Sequence, residues 1–515
     1  MTKKMPLTRR RFPLVLSHTA ILMVAVSTAA HAETATDIDN HTRGALDPTA
    51  PIAALTTLSS LQETNPSLQV KTPDIIHFTT PAGTPVSLVQ THTVPIVDIS
   101  IYFNAGAARD DAIKQGGYGI ASLTATMLDQ GTQTKNDNDI AEATEQLGAE
   151  LTANAYKDMF IVSLRTLSDE AHLRPATDLM SDILSHPTFP ADNLARSKAQ
   201  YLISLAQEDE NPDSIAAKAF AKALYGNHPY AHPTKGTKAS IAHIEQADLQ
   251  AFAQQFLVAR NAHIAITGDI SAELAKDIAQ RLTQALPAGT PAPKLPDAKP
   301  LTHAKTIHIP FDSSQTTVIM GQLGSKHEQD ATRLQQRQNF AIVDEVVGGG
   351  NFQARLMQEV RKKRGLTYGI YSNMTPMQSQ GSYTIRFSTR NDKSAEAIQA
   401  TQQVLKEIVQ HGISAEELTL TKDSLTNSFP TSFASNAAIN ATIGMMGFYQ
   451  LPDSYLTDYI KRLQQADLHS VNQSYASLID PAKFLIVTVG NTRTTIKTHP
   501  PIKKPTSLGR SHPKR

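Results

Sequence analysis

The chain repeats itself once, and that repeat limits its possible folds more than any other feature. Gln246-Ala-Asp-Leu249 recurs as Gln465-Ala-Asp-Leu468. Other marks recur around it in the same order. Gly106, after a strand-like run, matches Gly324 after Thr316–Met320. His186 and Leu194, leading into a helix, match His411 and Leu418. Gly268 matches Gly490 after Phe484–Thr488. The offsets stay between 218 and 225 residues. Self-similarity held in register across half a chain marks a duplicated domain.

Within each copy, strand-like and helix-like runs are mixed. Ile75–Phe78, Pro85–Val89 and Ile96–Phe103 read as strands, and helices are expected near 118–129, 137–147, 168–185, 191–208 and 214–224. A strand at His263–Thr267 leads to a helix capped by Ser271. The pattern predicts an α+β fold of two homologous domains, 73–287 and 304–492, each an antiparallel sheet with helices on one face. A proline-rich linker spans 288–303.

The ends read differently. Residues 1–32 have five basic residues and no acid, then an apolar run and Ala30-His31-Ala32, the pattern of a signal peptide. Thr8–Phe12 also resembles a twin-arginine signal, but Pro13 fits that pattern badly, so the ordinary secretory route is expected. Residues 33–72 lack periodicity and read as a flexible leader; 493–515, with seven basic residues and no acid, read as a disordered tail.

Removing residues 1–32 leaves 43 of the 48 basic residues against 47 acidic ones, a formal charge of −4. That balance implies no broad nucleic-acid surface. The absence of cysteine excludes disulfides and thiolate metal sites. No later run is long enough to span a membrane. A periplasmic protein is the expectation.

Gly348-Gly-Gly-Asn-Phe-Gln-Ala-Arg-Leu356 opens the most informative stretch. Phe352–Lys363 reads as a helix with Asn351 as its N-cap, Gly365 as its stop, and Tyr368–Ser372 as a strand leaving it. Arg361 then closes a helix while Tyr368 opens a strand. Two readings stand side by side: a solvated arginine with a packed tyrosine, or a forked donor and a phenol that hold one substrate group. In the first half, His228-Pro-Tyr-Ala-His232 is a close histidine pair, but Pro229 bars the regular helix that would align it for a metal.

A strand ending in Asn104-Ala-Gly106, a Gly116-Gly117 helix start, Gly131-Thr132, the duplication, and the glycine-rich stretch with Arg361 and Tyr368 together resemble the pitrilysin/insulinase zinc peptidases. The resemblance covers about residues 73–492 and looks most like the two-domain processing type. Active members carry His-x-x-Glu-His on the first long helix and a further acidic ligand on a later one. Two histidines four apart hold zinc, and the glutamate takes a proton from the zinc-bound water. Here the equivalent positions are Ser122 and Thr126 for the histidines, Ala125 for the glutamate, and Ile203-Ser204 for the later acid.

The resemblance therefore implies no catalytic residue, metal or cofactor in this chain. It implies substrate-binding roles for Arg361 and Tyr368, which match the family's Arg/Tyr pair. The expected protein is the non-catalytic subunit of a heterodimeric metallopeptidase. Its partner would be a sister chain carrying His-x-x-Glu-His and the zinc, and its substrates short or unfolded peptides. Ile96–Phe103 is expected to add such a peptide by edge pairing. The alternative is an inactive pseudopeptidase acting as a peptide-binding or assembly scaffold.

Overall fold

The computed structural model describes residues 71–491. The signal-peptide reading, most of the leader and the basic tail lie outside them. The six strands of the first sheet are β1 (Ile76–Thr79), β2 (Pro85–Gln90), β3 (Ile96–Phe103), β4 (Glu150–Ala155), β5 (Phe160–Leu167) and β6 (Ala262–Gly268). The second sheet holds β7 (Lys305–Pro310), β8 (Gln315–Leu323), β9 (Thr367–Thr375), β10 (Ser382–Arg390) and β11 (Leu485–Gly490).

Their orders are β1-β2-β6-β3-β5-β4 and β7-β11-β8-β10-β9. Setting β1 aside, the two are the same order. The duplication read from the sequence is thus a duplication of sheet topology. The structure adds one feature: β2 runs parallel to β6, and β7 parallel to β11, while the other pairs are antiparallel. In each half the last strand slips inside the sheet, β6 between β2 and β3 and β11 between β7 and β8.

Edge pairing by Ile96–Phe103 does not survive. β3 lies between β6 and β5 and is hydrogen-bonded on both sides, from Ile96↔Leu167 to Phe103↔Phe160 on one and from Val97↔Gly268 to Phe103↔Ala262 on the other. Its alternation puts Val97, Ile99, Ile101 and Phe103 on one face and Asp98, Ser100 and Tyr102 on the other, a pattern that leaves the edge open, and it is β6, returning from the end of the half, that fills it. The strands that end the sheets are β1 and β4 in the first, β7 and β9 in the second.

The helices of the first half include α1 (Ile120–Met127), α2 (Glu170–Ser185), α3 (Ala191–Asp209), α4 (Pro212–Tyr225) and α5 (Gln246–Phe256). Those of the second include α6 (Ala331–Gly348), α7 (Ser394–His411), α8 (Ala415–Ser428), α9 (Asn436–Phe448) and α10 (Leu468–Leu478). Most of the core lies on one face of each sheet. Ile99, Ile101 and Phe103 meet Leu123, Met180 and Phe252 in the first half; Val318, Met320 and Ile385 meet Val343, Leu405 and Tyr475 in the second.

The opposite face of each sheet is covered by a helix of the other half. Ala216, Phe220 and Leu224 of α4 pack with Ile319, Leu485 and Val487 of the second sheet. Ile443 of α9 packs with Val89, Tyr102 and Ala265 of the first. Asn440 fastens α9 to that sheet, its Nδ2 donating to the Asp98 and Ala265 carbonyls at 3.0 Å each. Gly444 lets the helix lie flat: a Cβ there would stand 2.1 Å from Tyr102 Cε2. The halves have exchanged helices, and each needs the other to bury its sheet.

Candidate functional site

Helix α1 carries the positions at which the resemblance places a zinc motif. Its start is fixed by Asp110, whose carboxylate accepts from the Gly119 N–H at 2.7 Å and the Ala121 N–H at 2.9 Å. Burial pushes the Asp110 pKa up to about 7, against the pull of those two amides. Along the helix, Ser122 Oγ donates to the Thr234 carbonyl at 2.9 Å, and Ala125 is buried. The Thr126 hydroxyl lies 2.8 Å from the Tyr201 hydroxyl, which also donates to the Ser122 carbonyl at 3.0 Å.

Tyr201, on α3, is therefore the residue facing Ser122 and Thr126 across the helix pair. Ile203, two residues on and about 200° further round the helix, is 62% exposed. The sequence reading named Ile203 and Ser204 for this place and passed over Tyr201. A tyrosine beside two small hydroxyl residues gives no motif, and only the packing of α3 on α1 reveals it. The group does not fit zinc. Burial raises the Tyr201 pKa, so its oxygen keeps its proton, and neutral hydroxyls are poor ligands beside imidazole and carboxylate. Ala125 cannot take a proton from water. Among the described residues, no group of three or more His, Cys, Asp and Glu side chains is placed to hold a metal.

The close histidine pair is used structurally. His228 Nε2 bonds the Pro296 carbonyl at 2.8 Å, and its Nδ1 accepts from the Tyr230 N–H at 3.1 Å. His232 stacks on Tyr118 with ring centroids 3.6 Å apart. Pro229–Ala231 forms a single 3₁₀ turn between them, so the pair shares no helical face.

Arg361 and Tyr368 stand on two local irregularities. The helix before Gly365 begins only at Arg355, later than the sequence predicts, and from Met357 to Lys363 it is a π-helix. Such a widened turn is uncommon and recurs at functional positions. Gly365, at φ +62°, ends it, its N–H bonding the Arg361 carbonyl at 2.8 Å. The chain then enters β9, whose register with β10 shifts between Phe387 and Thr389. Tyr368 falls in this bulge, which re-aims side chains at a sheet edge.

Tyr368 is 85% exposed. The Arg361 guanidinium lies 4.9 Å from the centroid of the Phe352 ring, itself 67% exposed. Neither the Arg361 nor the Tyr368 side chain has a hydrogen-bond partner among the described residues. A stacked guanidinium keeps its forked edge free, and a phenol on a free sheet edge keeps its hydroxyl free.

These elements define a class: a duplicated α+β scaffold that carries an arginine on a π-helix and a tyrosine on the edge strand that follows, and that among the described residues holds no cluster fit for a hydrolytic metal. The chain belongs to the insulinase family, peptidase family M16. Residues 86–238 match the family model described as insulinase (peptidase family M16), and residues 243–425 match the one described as the peptidase M16 inactive domain.

A crystal structure of a peptidase M16 inactive domain from Pseudomonas fluorescens is similar, with 37% identity and a TM-score of 0.77, covering 81% of this chain and 98% of that one. Among curated relatives, the non-peptidase homolog YmxG of Helicobacter pylori is 25% identical over 76% of this chain and 88% of its own length. The uncharacterized zinc protease YmxG of Bacillus subtilis is 25% identical over 81% of this chain and 99% of its own. The first half of the Escherichia coli periplasmic protease PqqL shares the fold, with a TM-score of 0.68 at 17% identity, covering 82% of this chain and 92% of that one. The chain is thus an M16-family protein whose second half matches the model of the inactive domain.

Proposed function

We propose that this chain is the non-catalytic subunit of a periplasmic heterodimeric zinc metallopeptidase. A sister chain carrying His-x-x-Glu-His supplies the zinc and the glutamate base, and this chain supplies Arg361 and Tyr368. The observation that carries the reading is a contrast. The side chains of Arg361, half-buried against Phe352, and Tyr368, exposed, have no hydrogen-bond partner among the described residues and are held on a π-helix and a bulge, whereas Ser122, Ala125 and Thr126 on α1 offer nothing to a metal. The partner's zinc lowers the pKa of its bound water and polarises the scissile carbonyl. Arg361 and Tyr368 hydrogen-bond the backbone of a short or unfolded peptide and hold it in line for attack.

The test is reconstitution. Co-expressed with a zinc-bearing M16 chain from the same genome, this protein should copurify as a stoichiometric complex. The complex should cleave a fluorogenic peptide far faster than either chain alone. Hydrolysis by the sister chain at the full rate without this one would sink the proposal. The name of the Helicobacter relative favours a second reading, an inactive scaffold that binds peptides without a catalytic partner. Peptide binding by the isolated chain with no enhancement of any sister peptidase would select it.

A further inference from the structure

In the second half, between the start of α6 and α10, a cleft of about 660 Å³ opens, a size that suits small ligands. Arg333 and Arg337 both line it, and their spacing puts them one turn apart on one face of α6. Their partners are neutral. Arg333 donates to Gln336 Oε1 at 3.1 Å, and Arg337 Nη1 to His327 Nδ1 at 3.0 Å. The Arg337 guanidinium also lies 5.8 Å from the centroid of the Tyr455 ring. Among the described residues no carboxylate is within ion-pair distance of either arginine. Lys326, which also lines the cleft, is by contrast paired with Asp297 at 3.6 Å.

Arg337 is thus ordered by groups that cannot neutralise it. His327 stacks on Tyr449 at 3.7 Å, and burial pushes its pKa down to about 3, so its Nδ1 is a lone-pair acceptor over the working pH range. One edge of the guanidinium is fixed by that bond, leaving the rest of its donor fork unbonded. A preoriented fork with a second arginine one turn away matches the paired oxygens of a carboxylate or phosphate. The serines of α10 supply acceptors: the Ser474 hydroxyl gives its proton to the Ser470 carbonyl at 2.8 Å, which leaves its lone pairs open. With the Glu328 carboxylate in the same cleft, they suit a ligand that carries donors beside its anionic group.

We propose that this cleft is a second binding site, independent of the Arg361–Tyr368 edge, for a small oxyanionic ligand anchored on Arg337 and Arg333. Isothermal titration of the full chain with inorganic phosphate, and separately with L-glutamate, tests it. At least one probe should saturate with one site per chain. Arg337→Gln and Arg333→Gln should each weaken it tenfold or more, and Arg364→Gln should leave it unchanged. Saturation by phosphate alone assigns a phosphoryl ligand, by glutamate alone a carboxylate, and by both an oxyanion site without preference. If Arg337→Gln fails to fold, Arg333→Gln decides, because that side chain is exposed and its loss breaks one side-chain bond. No saturation by either probe below roughly 10 mM, where binding is worth under about 3 kcal/mol, would overturn the proposal. So would binding that survives both substitutions.

Discussion

The carboxylate of Asp158, in the turn between β4 and β5, accepts a hydrogen bond from the Tyr449 hydroxyl 3.1 Å away, at the end of α9. The Tyr230 hydroxyl and the Gln378 N–H (2.8 Å) complete its shell. One buried carboxylate therefore joins the first hairpin, the loop after α4, the turn between β9 and β10, and the exchanged helix. Asp158→Ala would leave those donors unpaired and should cost about 3 kcal/mol, against about 1 kcal/mol for Tyr449→Phe. Equilibrium urea unfolding measures both; a loss under ~1 kcal/mol for Asp158→Ala would show that the junction does not depend on this group.

A buried histidine makes stability depend on pH. His263 bonds Ser87 at 3.1 Å, and burial, aided by the nearby charge of His77, pushes its pKa from the ordinary 6.5 down to about 4. Between those values the unfolded chain takes up a proton that the folded chain refuses, so stability falls as pH drops from 6.5 to 4. Up to about 3 kcal/mol rides on that interval. Asp344, raised to about 6 by burial, acts in the opposite sense, its contribution declining as pH rises from about 4 to 6. The expected signature is a stability difference between wild type and His263→Gln that shifts toward the variant on acidification. A difference constant from pH 7 to pH 4 would contradict it.

Gly444→Ala sets helix propensity against packing. In an isolated helix the change gains about 1 kcal/mol. Here the new methyl meets the buried Tyr102 ring, and overpacking of this kind costs about 1–3 kcal/mol. The variant should be less stable than wild type by urea unfolding, and α9 more open to limited proteolysis. A stabilised variant would mean that the helix shifts at no cost.

For the proposed heterodimer, Arg361→Ala and Tyr368→Phe should leave the stability of the isolated chain within ~0.5 kcal/mol, because Tyr368 is 85% exposed and the Arg361 guanidinium lies over the exposed Phe352 ring. Each should lower kcat/KM of the complex roughly ten- to a hundredfold, the worth of a charge-assisted hydrogen bond. Arg361→Lys should recover little, since a point charge does not replace a planar fork. Steady-state kinetics within twofold of wild type for both would remove the pair from the mechanism.

Zinc should neither stabilise nor activate the isolated chain. A metal bound at a hundred times its Kd would add about 2.7 kcal/mol, so a Tm unchanged across zinc concentrations is the expected result. A concentration-dependent rise would point to ligands other than Ser122, Ala125 and Thr126.

Much of this architecture is legible in sequence because duplication doubles the signal. Weak marks such as Gly268 and Gly490 become persuasive when they return in register. The exchange of α4 and α9 is hidden, because Ala216, Phe220 and Leu224 form an apolar stripe that fits either sheet. The interior place of Ile96–Phe103 is equally hidden, since Asp98 and Ser100 on one face alternate with Val97, Ile99, Ile101 and Phe103 on the other, and only the return of β6 fills its edge. Tyr368-Gly369 in a strand hinted at a bulge, but nothing local announces a π-helix over Met357–Lys363. Tyr201 had no local signal either: its place opposite Thr126 comes from how two helices pack.

The helix exchange also sets an order of events during synthesis. The face of the first sheet that carries Val89, Tyr102 and Ala265 is covered by α9, and Asn440 reaches back across 342 residues to Asp98 and 175 to Ala265. Until that stretch has emerged, the first half holds an uncovered apolar face, the kind of surface that attracts aggregation or a chaperone. Closing so long a loop is slow. The first domain to be made is therefore among the last to be finished.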